Sequence, residues 1–181
     1  KIFMAQTDGI FPKKILETRI PDLKIYWPIK DKIAFETPNS EIFLLTEEGG
    51  LTKLLEQKLS LNVKWSVGGS KLLFSALENP GDLQPMLWVK DLETKSEVRL
   101  NLLITASKCA WSIDNTHIYC AVPKSPSIDE VYRINISDGS KELVAEPETT
   151  VKEVFLPKLE SYLLFIGAGD EKLYGIKISD Q

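Results

Sequence analysis

The chain is poor in the residues from which catalytic and metal sites are usually built. It has one histidine and two cysteines in 181 residues, too few for a zinc ligand set. It has no acidic loop of calcium-binding spacing. No Gly-x-Gly-x-x-Gly or phosphate-loop pattern occurs, and no Gly-x-Ser-x-Gly elbow. No catalytic residue, metal or cofactor is therefore expected. Positive charge is also scarce. Lys and Arg total 22 against 26 Asp and Glu, a net of −4, and no segment is strongly basic, which excludes a chain that tracks nucleic-acid phosphates. The longest apolar run, Leu100 to Ala106, is broken by Asn101 and Thr105, so no membrane span is expected. Helical periodicity is missing as well. Thr52 to Leu61 comes nearest and reads better as a strand with its exit.

What remains is a composition of ordinary folded type, 43% hydrophobic and 27% charged, enough for one sizeable core or a run of small repeats. The chain opens directly on a strand-like run, Lys1 to Ala5, and stops just after another. It is expected to be a piece of a longer protein.

The dominant signal is a repeat. An aromatic residue leads a strand–turn–strand pattern at Trp27, Trp65, Trp111 and Phe155, in steps of 38, 46 and 44 residues. An apolar–aromatic pair recurs in a later strand at Ile2-Phe3, Ile42-Phe43, Leu87-Trp88, Val131-Tyr132 and Leu173-Tyr174. Turn residues follow it at Asp8-Gly9, Gly49-Gly50, Asp91 to Lys95 and Asp138-Gly139, where Gly and Asp tolerate positive φ. A short apolar strand comes next each time. The unit is thus four short strands, a to d, and apolar residues on both pleat faces, as in Leu72-Leu73-Phe74, require cover on both sides. An antiparallel four-stranded unit every forty-odd residues is a β-propeller blade. The expected fold is all-β, with about four blades in an open partial propeller. The expected blades are 1–20 (strands c and d only), 21–58, 59–102, 103–147 and 148–181 (lacking d). The alternative is a closed four-blade ring, with Lys13 to Leu16 supplying the last strand d.

The hairpins Trp65-Ser66-Val67-Gly68-Gly69 and Trp111-Ser112-Ile113-Asp114-Asn115 resemble the Trp-Ser-Pro-Asp-Gly turn of TolB-like, WD-repeat-like propellers. Trp27-Pro28 and Phe155-Leu156-Pro157 keep only the aromatic. The resemblance covers nearly the whole chain. It implies a propeller and leaves the function open among periplasmic scaffolds, surface proteins and the propeller domains of prolyl-oligopeptidase-type enzymes. It also leans toward an extracytoplasmic setting.

Site candidates are few. His117 lies beside a hairpin turn near Ser112 and Asp114 and reads as an exposed hairpin residue. Gly167-Ala168-Gly169-Asp170 reads as a turn between strands. The carboxylate pairs Glu47-Glu48, Asp129-Glu130 and Asp170-Glu171 point to opposite faces of a strand or fall in loops. Cys109 and Cys120 flank the turn at Ile113 to Asn115. A two-residue loop would set them opposite each other, and a three-residue loop would turn them to opposite faces. The neighbouring repeat favours three, and with it two reduced core thiols. The b–c loops of the two middle blades, Leu77 to Pro85 and Val122 to Asp129, are long and proline-stiffened. On one face of adjacent blades they form a candidate binding surface, with Asp82, Gln84, Lys124 and Asp129 as its side chains. The expected role is a non-catalytic scaffold that binds a protein or other macromolecule. The alternatives are the gating propeller of a serine peptidase, whose nucleophile lies in another domain, and a sugar-processing enzyme. The last requires channel carboxylates, whereas the strand-a starts near Lys24, Lys64 and Lys108 are basic.

Overall fold

The computed structural model describes residues 1–5, 9–10, 12–29 and 32–178. Apart from one 3-10 turn, Ala106–Lys108, the regular structure of the described residues is all β. Seventeen strands fall in five antiparallel sheets that follow chain order. The first holds β1 (Ile2–Met4) and β2 (Lys13–Leu16). The second holds β3 (Lys24–Ile29), β4 (Lys32–Glu36), β5 (Ile42–Thr46) and β6 (Leu51–Leu55). The third holds β7 (Leu59–Trp65), β8 (Lys71–Leu77), β9 (Met86–Asp91) and β10 (Glu97–Arg99). The fourth holds β11 (Cys109–Trp111), β12 (His117–Ser125), β13 (Ile128–Asn135) and β14 (Lys141–Ala145). The fifth holds β15 (Val151–Phe155), β16 (Tyr162–Gly167) and β17 (Leu173–Lys177). Lys13–Leu16 pairs with β1 and does not complete the last sheet, which corrects the closed-ring alternative.

Two compact units divide the chain, Lys1–Leu59 and Ser60–Gln181. In the first, Ile2 and Ile15 pack with Ile33, Phe35 and Leu45. Glu36 is buried there, and accepts hydrogen bonds from Lys24 Nζ at 3.0 Å and Tyr26 Oη at 2.8 Å. Burial and the Glu36 carboxylate push the Tyr26 phenol well above its ordinary value.

The second unit shows why both pleat faces had to be apolar. In the fourth sheet Ile118, Cys120 and Ile134 share a face and pack with Leu73, Leu87 and Val89 of the third sheet. Tyr119, Ala121 and Val131 point the other way and pack with Val151, Val154, Leu163 and Phe165 of the fifth. Each fully buried aliphatic side chain contributes about 1.5–3 kcal/mol. A sheet apolar on both sides gains that only between two neighbours.

The recurrent strand-c aromatic has a physical role. Phe43 stacks on Phe35 and Trp88 on Phe74, with centroids 5.4 and 6.3 Å apart. A cation from strand d then covers the aromatic: Lys53 over Phe43, Arg99 over Trp88 and Lys141 over Tyr132, at 5.4, 5.9 and 5.7 Å. Each such contact is worth about 0.5–1 kcal/mol at an exposed site.

The a–b hairpins correct the cysteine expectation. Ser66 N–H bonds Lys71 C=O and Ser112 N–H bonds His117 C=O, both at 3.0 Å. The loops are therefore the four residues Val67–Ser70 and Ile113–Thr116, neither two nor three. Four has the same parity as two, so Cys109 stands opposite Cys120. Their Cα atoms are 4.1 Å apart, both residues are fully buried, and a disulfide joins them. The left-handed turn position is Gly69 at φ 66 in one hairpin and Asn115 at φ 55 in the other. In the second, Asp114 Oδ1 accepts the Thr116 and His117 N–H groups at 2.7 and 2.9 Å, bracing a conformation that favours glycine.

Candidate functional site

The first strands of the second unit's sheets are tied to one another by side chains. Trp111 Nε1–H donates to the Lys64 carbonyl at 3.1 Å, so this tryptophan is an inter-blade donor, whereas the buried Trp65 Nε1 has no hydrogen-bonding partner among the described residues. Lys64 Nζ in turn donates to the Val154 carbonyl at 2.7 Å and the Ser107 carbonyl at 3.3 Å. It lies 3.7 Å from Glu153 and 5.2 Å from the Phe155 ring. Burial lowers the Lys64 ammonium from its ordinary value, with Glu153 opposing the shift. Lys64 stands at the end of β7, not at its start as the sequence reading had it.

A second tie joins the third sheet to the entry of the fourth, and the fourth to the entry of the fifth. Ser75 Oγ accepts the Ala106 N–H at 2.9 Å. One blade on, Asp129 Oδ2 accepts the Val151 N–H at 2.6 Å and Lys108 Nζ at 2.7 Å, while the Asp129 N–H bonds the Thr149 carbonyl at 3.2 Å. Asp129 is fully buried, and its Oδ1 has no hydrogen-bonding partner. The expectation that Val122 to Asp129 is a long loop is thus corrected. Strands β12 and β13 extend through it, leaving a turn of Pro126 and Ser127. Pro123 pairs with Asp129 beside a register irregularity, a place where a strand accommodates proline.

The other three selected residues lie at the surface. Lys124 bridges Glu130 at 2.5 Å and Glu146 at 3.0 Å, and these carboxylates raise its ammonium well above the ordinary range. Asp82 and Gln84 lie in the loop between β8 and β9. Asp82 Oδ2 accepts the Asn79 N–H at 2.8 Å, and the Asp82 N–H bonds the Asn79 carbonyl at 3.2 Å. The loop is therefore braced within itself. Beyond the brace Leu83 is 97% exposed. With Leu103, it borders a concavity of about 670 Å³ whose wall includes the Arg99–Glu78 ion pair. Sequence reasoning passed over Leu83. Its one signal is an aliphatic residue, between Asp82 and Gln84, outside any alternating pattern.

The histidine neighbourhood is internally bonded. His117 Nδ1 lies 2.7 Å from Asp114 Oδ2, whereas Ser112 Oγ donates to Glu160 at 3.0 Å. The serine hydroxyl thus serves the next hairpin and not the imidazole. Burial alone would raise the Asp114 carboxyl. The Thr116 and His117 N–H groups and the imidazole outweigh it and hold the group far below the usual carboxylate range. Gly167 to Asp170 forms a turn, with the Gly167 N–H bonded to the Lys172 carbonyl at 3.0 Å. Among the described residues no group of three or more His, Cys, Asp or Glu is placed to hold a metal ion, and no helix is long and apolar enough to cross a membrane.

No known family model matches the chain, and no curated protein matches it. Solved structures do. TolB from Acinetobacter baumannii is 20% identical with a TM-score of 0.65, over 99% of this chain and 49% of that one. An oligogalacturonate lyase in complex with manganese is 16% identical with a TM-score of 0.67, over 97% and 53%. A prolyl endopeptidase is 16% identical with a TM-score of 0.61, over 87% and 30%. The chain therefore spans about half the length of the first two. Likeness at this level shows the fold, and the fold is that of part of a TolB-like β-propeller.

Proposed function

We propose that the chain is a non-catalytic propeller segment that scaffolds a contact with another protein. The β8–β9 loop is its contact element. The observation that carries this reading is the braced loop presenting Leu83 almost wholly to solvent. A rigid, exposed aliphatic side chain beside a concavity costs little ordering entropy when a partner covers it. Gln84 and the Lys124 hairpin, at the corresponding end of the adjacent blade, extend the surface. Asp129 belongs to the support beneath it. The polar groups that chemistry would need are engaged internally, namely Ser112 with Glu160, His117 with Asp114, and Lys64 with main-chain carbonyls.

The test is quantitative capture from the source cells by the complete protein, wild type against Leu83→Asp and against Gln84→Ala with Lys124→Ala. Loss of the same proteins, tenfold or more, supports the loop face, and unchanged capture removes it. The likeness to a prolyl endopeptidase keeps one second reading, a gating propeller. Hydrolysis of prolyl peptides by the complete protein, lost on mutation of a hydrolase-domain serine, would establish that reading instead.

A further inference from the structure

Strand β11 is three residues long, all of them buried. It carries more inter-strand traffic than its length suggests. Trp111 reaches back to Lys64, and Lys108, just before the strand, holds Asp129 and through it Val151. Three ladder pairs, Cys109 with Cys120, Ala110 with Tyr119 and Trp111 with Ile118, join it to β12. The Ser112–His117 bond closes the turn end. The disulfide sits at the far end, where the strand begins. Because Ser112 N–H bonds His117 C=O, alternation makes the 109–120 pair a non-hydrogen-bonded one. There the side chains approach closely, and the bond supplies a connection that the backbone does not.

We propose that Cys109–Cys120 is a structural staple that fastens the entry of β11, and that the protein works in an oxidising compartment. Forming the bond removes two thiol protons and two electrons. A disulfide-exchange catalyst in its oxidised state takes both and leaves as a dithiol, so one bond forms as another breaks. Such bonds persist in secreted, periplasmic or cell-surface proteins and are rare where glutathione keeps thiols reduced. Both cysteines are fully buried inside the apolar cluster shared by the third and fourth sheets. A reductant therefore reaches the bond only when the blade opens, which marks a permanent link and not a cycling one. The bond closes a short loop, at a sequence separation of 11. The chain-entropy model gives a loop of this size about a hundredfold in the unfolding equilibrium constant.

The direct test traps thiols in the cells that make the protein. Acid quenching is followed by alkylation in denaturant without reductant, and the complete protein is read by mass spectrometry. The expected result is no alkylation at Cys109 or Cys120, and a cross-linked peptide pair that separates on reduction. In native buffer, dithiothreitol should leave the bond intact until denaturant is added. Two alkylated thiols in the quenched cells would overturn the proposal, and rapid reduction of the native protein would overturn the structural role. As a second measurement, Cys109→Ala with Cys120→Ala should raise the unfolding constant about a hundredfold. Should that variant not fold, the trapping result stands alone.

Discussion

Asp129 offers the sharpest quantitative test of how the blades are joined. Replacing it by Ala removes the acceptor for the Val151 N–H and the partner of the Lys108 ammonium together. Val151 is fully buried, so its N–H cannot turn to water, and an orphaned buried donor costs about 1–3 kcal/mol. Breaking a buried ion pair costs about 3–5 kcal/mol. Lys108 keeps a fifth of its side chain exposed and can recover part of its hydration, which places the total near the lower end, about 3–4 kcal/mol. For a chain of this size that corresponds to a fall in Tm of about 6–16 °C. Asp129→Asn keeps a carbonyl acceptor for Val151 and should lose about half as much. Urea denaturation followed by tryptophan fluorescence reads the midpoint, with an unchanged slope showing that the folded and unfolded states are comparable. A loss under 1 kcal/mol for the Ala variant would refute the clamp. Lost partner capture with unchanged stability would return Asp129 to the contact surface.

Trp111→Phe keeps the ring and deletes the indole donor to Lys64, and should destabilise by about 1 kcal/mol in the same assay; the equivalent position at Phe155 already lacks a donor and should tolerate Phe155→Leu better. Asp114 is held ionised in the fold, so its contribution is present above the unfolded carboxylate pKa near 4 and declines as pH falls through the folded value. Asp114→Ala should therefore flatten the acid limb of a stability–pH curve, by about 1 kcal/mol or less because the group is more than a third exposed. Lys64 is depressed, so folding is penalised while the amine is charged in the unfolded chain, and stability should rise as pH climbs from the folded pKa toward about 10.4. Lys64→Met should remove that alkaline slope.

The repeat was legible because its marks sit at equivalent packing positions, some within a blade and some between blades. Trp111 stands where its indole N–H meets the previous blade, at the Lys64 carbonyl. Phe43, Trp88 and Tyr132 recur where strand d lays a cation over strand c. Loop conformation was not legible. Val67-Gly68-Gly69 reads as a three-residue loop, yet Ser70 joins it, and that one residue decides which face Cys109 takes. Pro123 and Pro126 read as loop punctuation, although the first sits in strand beside an irregularity and only the second is in the turn. Asp129 was therefore assigned to a surface when it lies under one. Its burial depends on Lys108 and Val151, about twenty residues away on either side, and no local pattern announces such partners.

The central claim is that the fourth sheet stands between two others, with alternate residues of one strand facing opposite neighbours. Methyl–methyl nuclear Overhauser contacts from β12 test it most directly. Ile118 should contact Leu73, Leu87 or Val89, and Ala121 should contact Val151, Val154 or Leu163. Contacts from both residues to the same neighbouring sheet, or from either to none, would contradict the account.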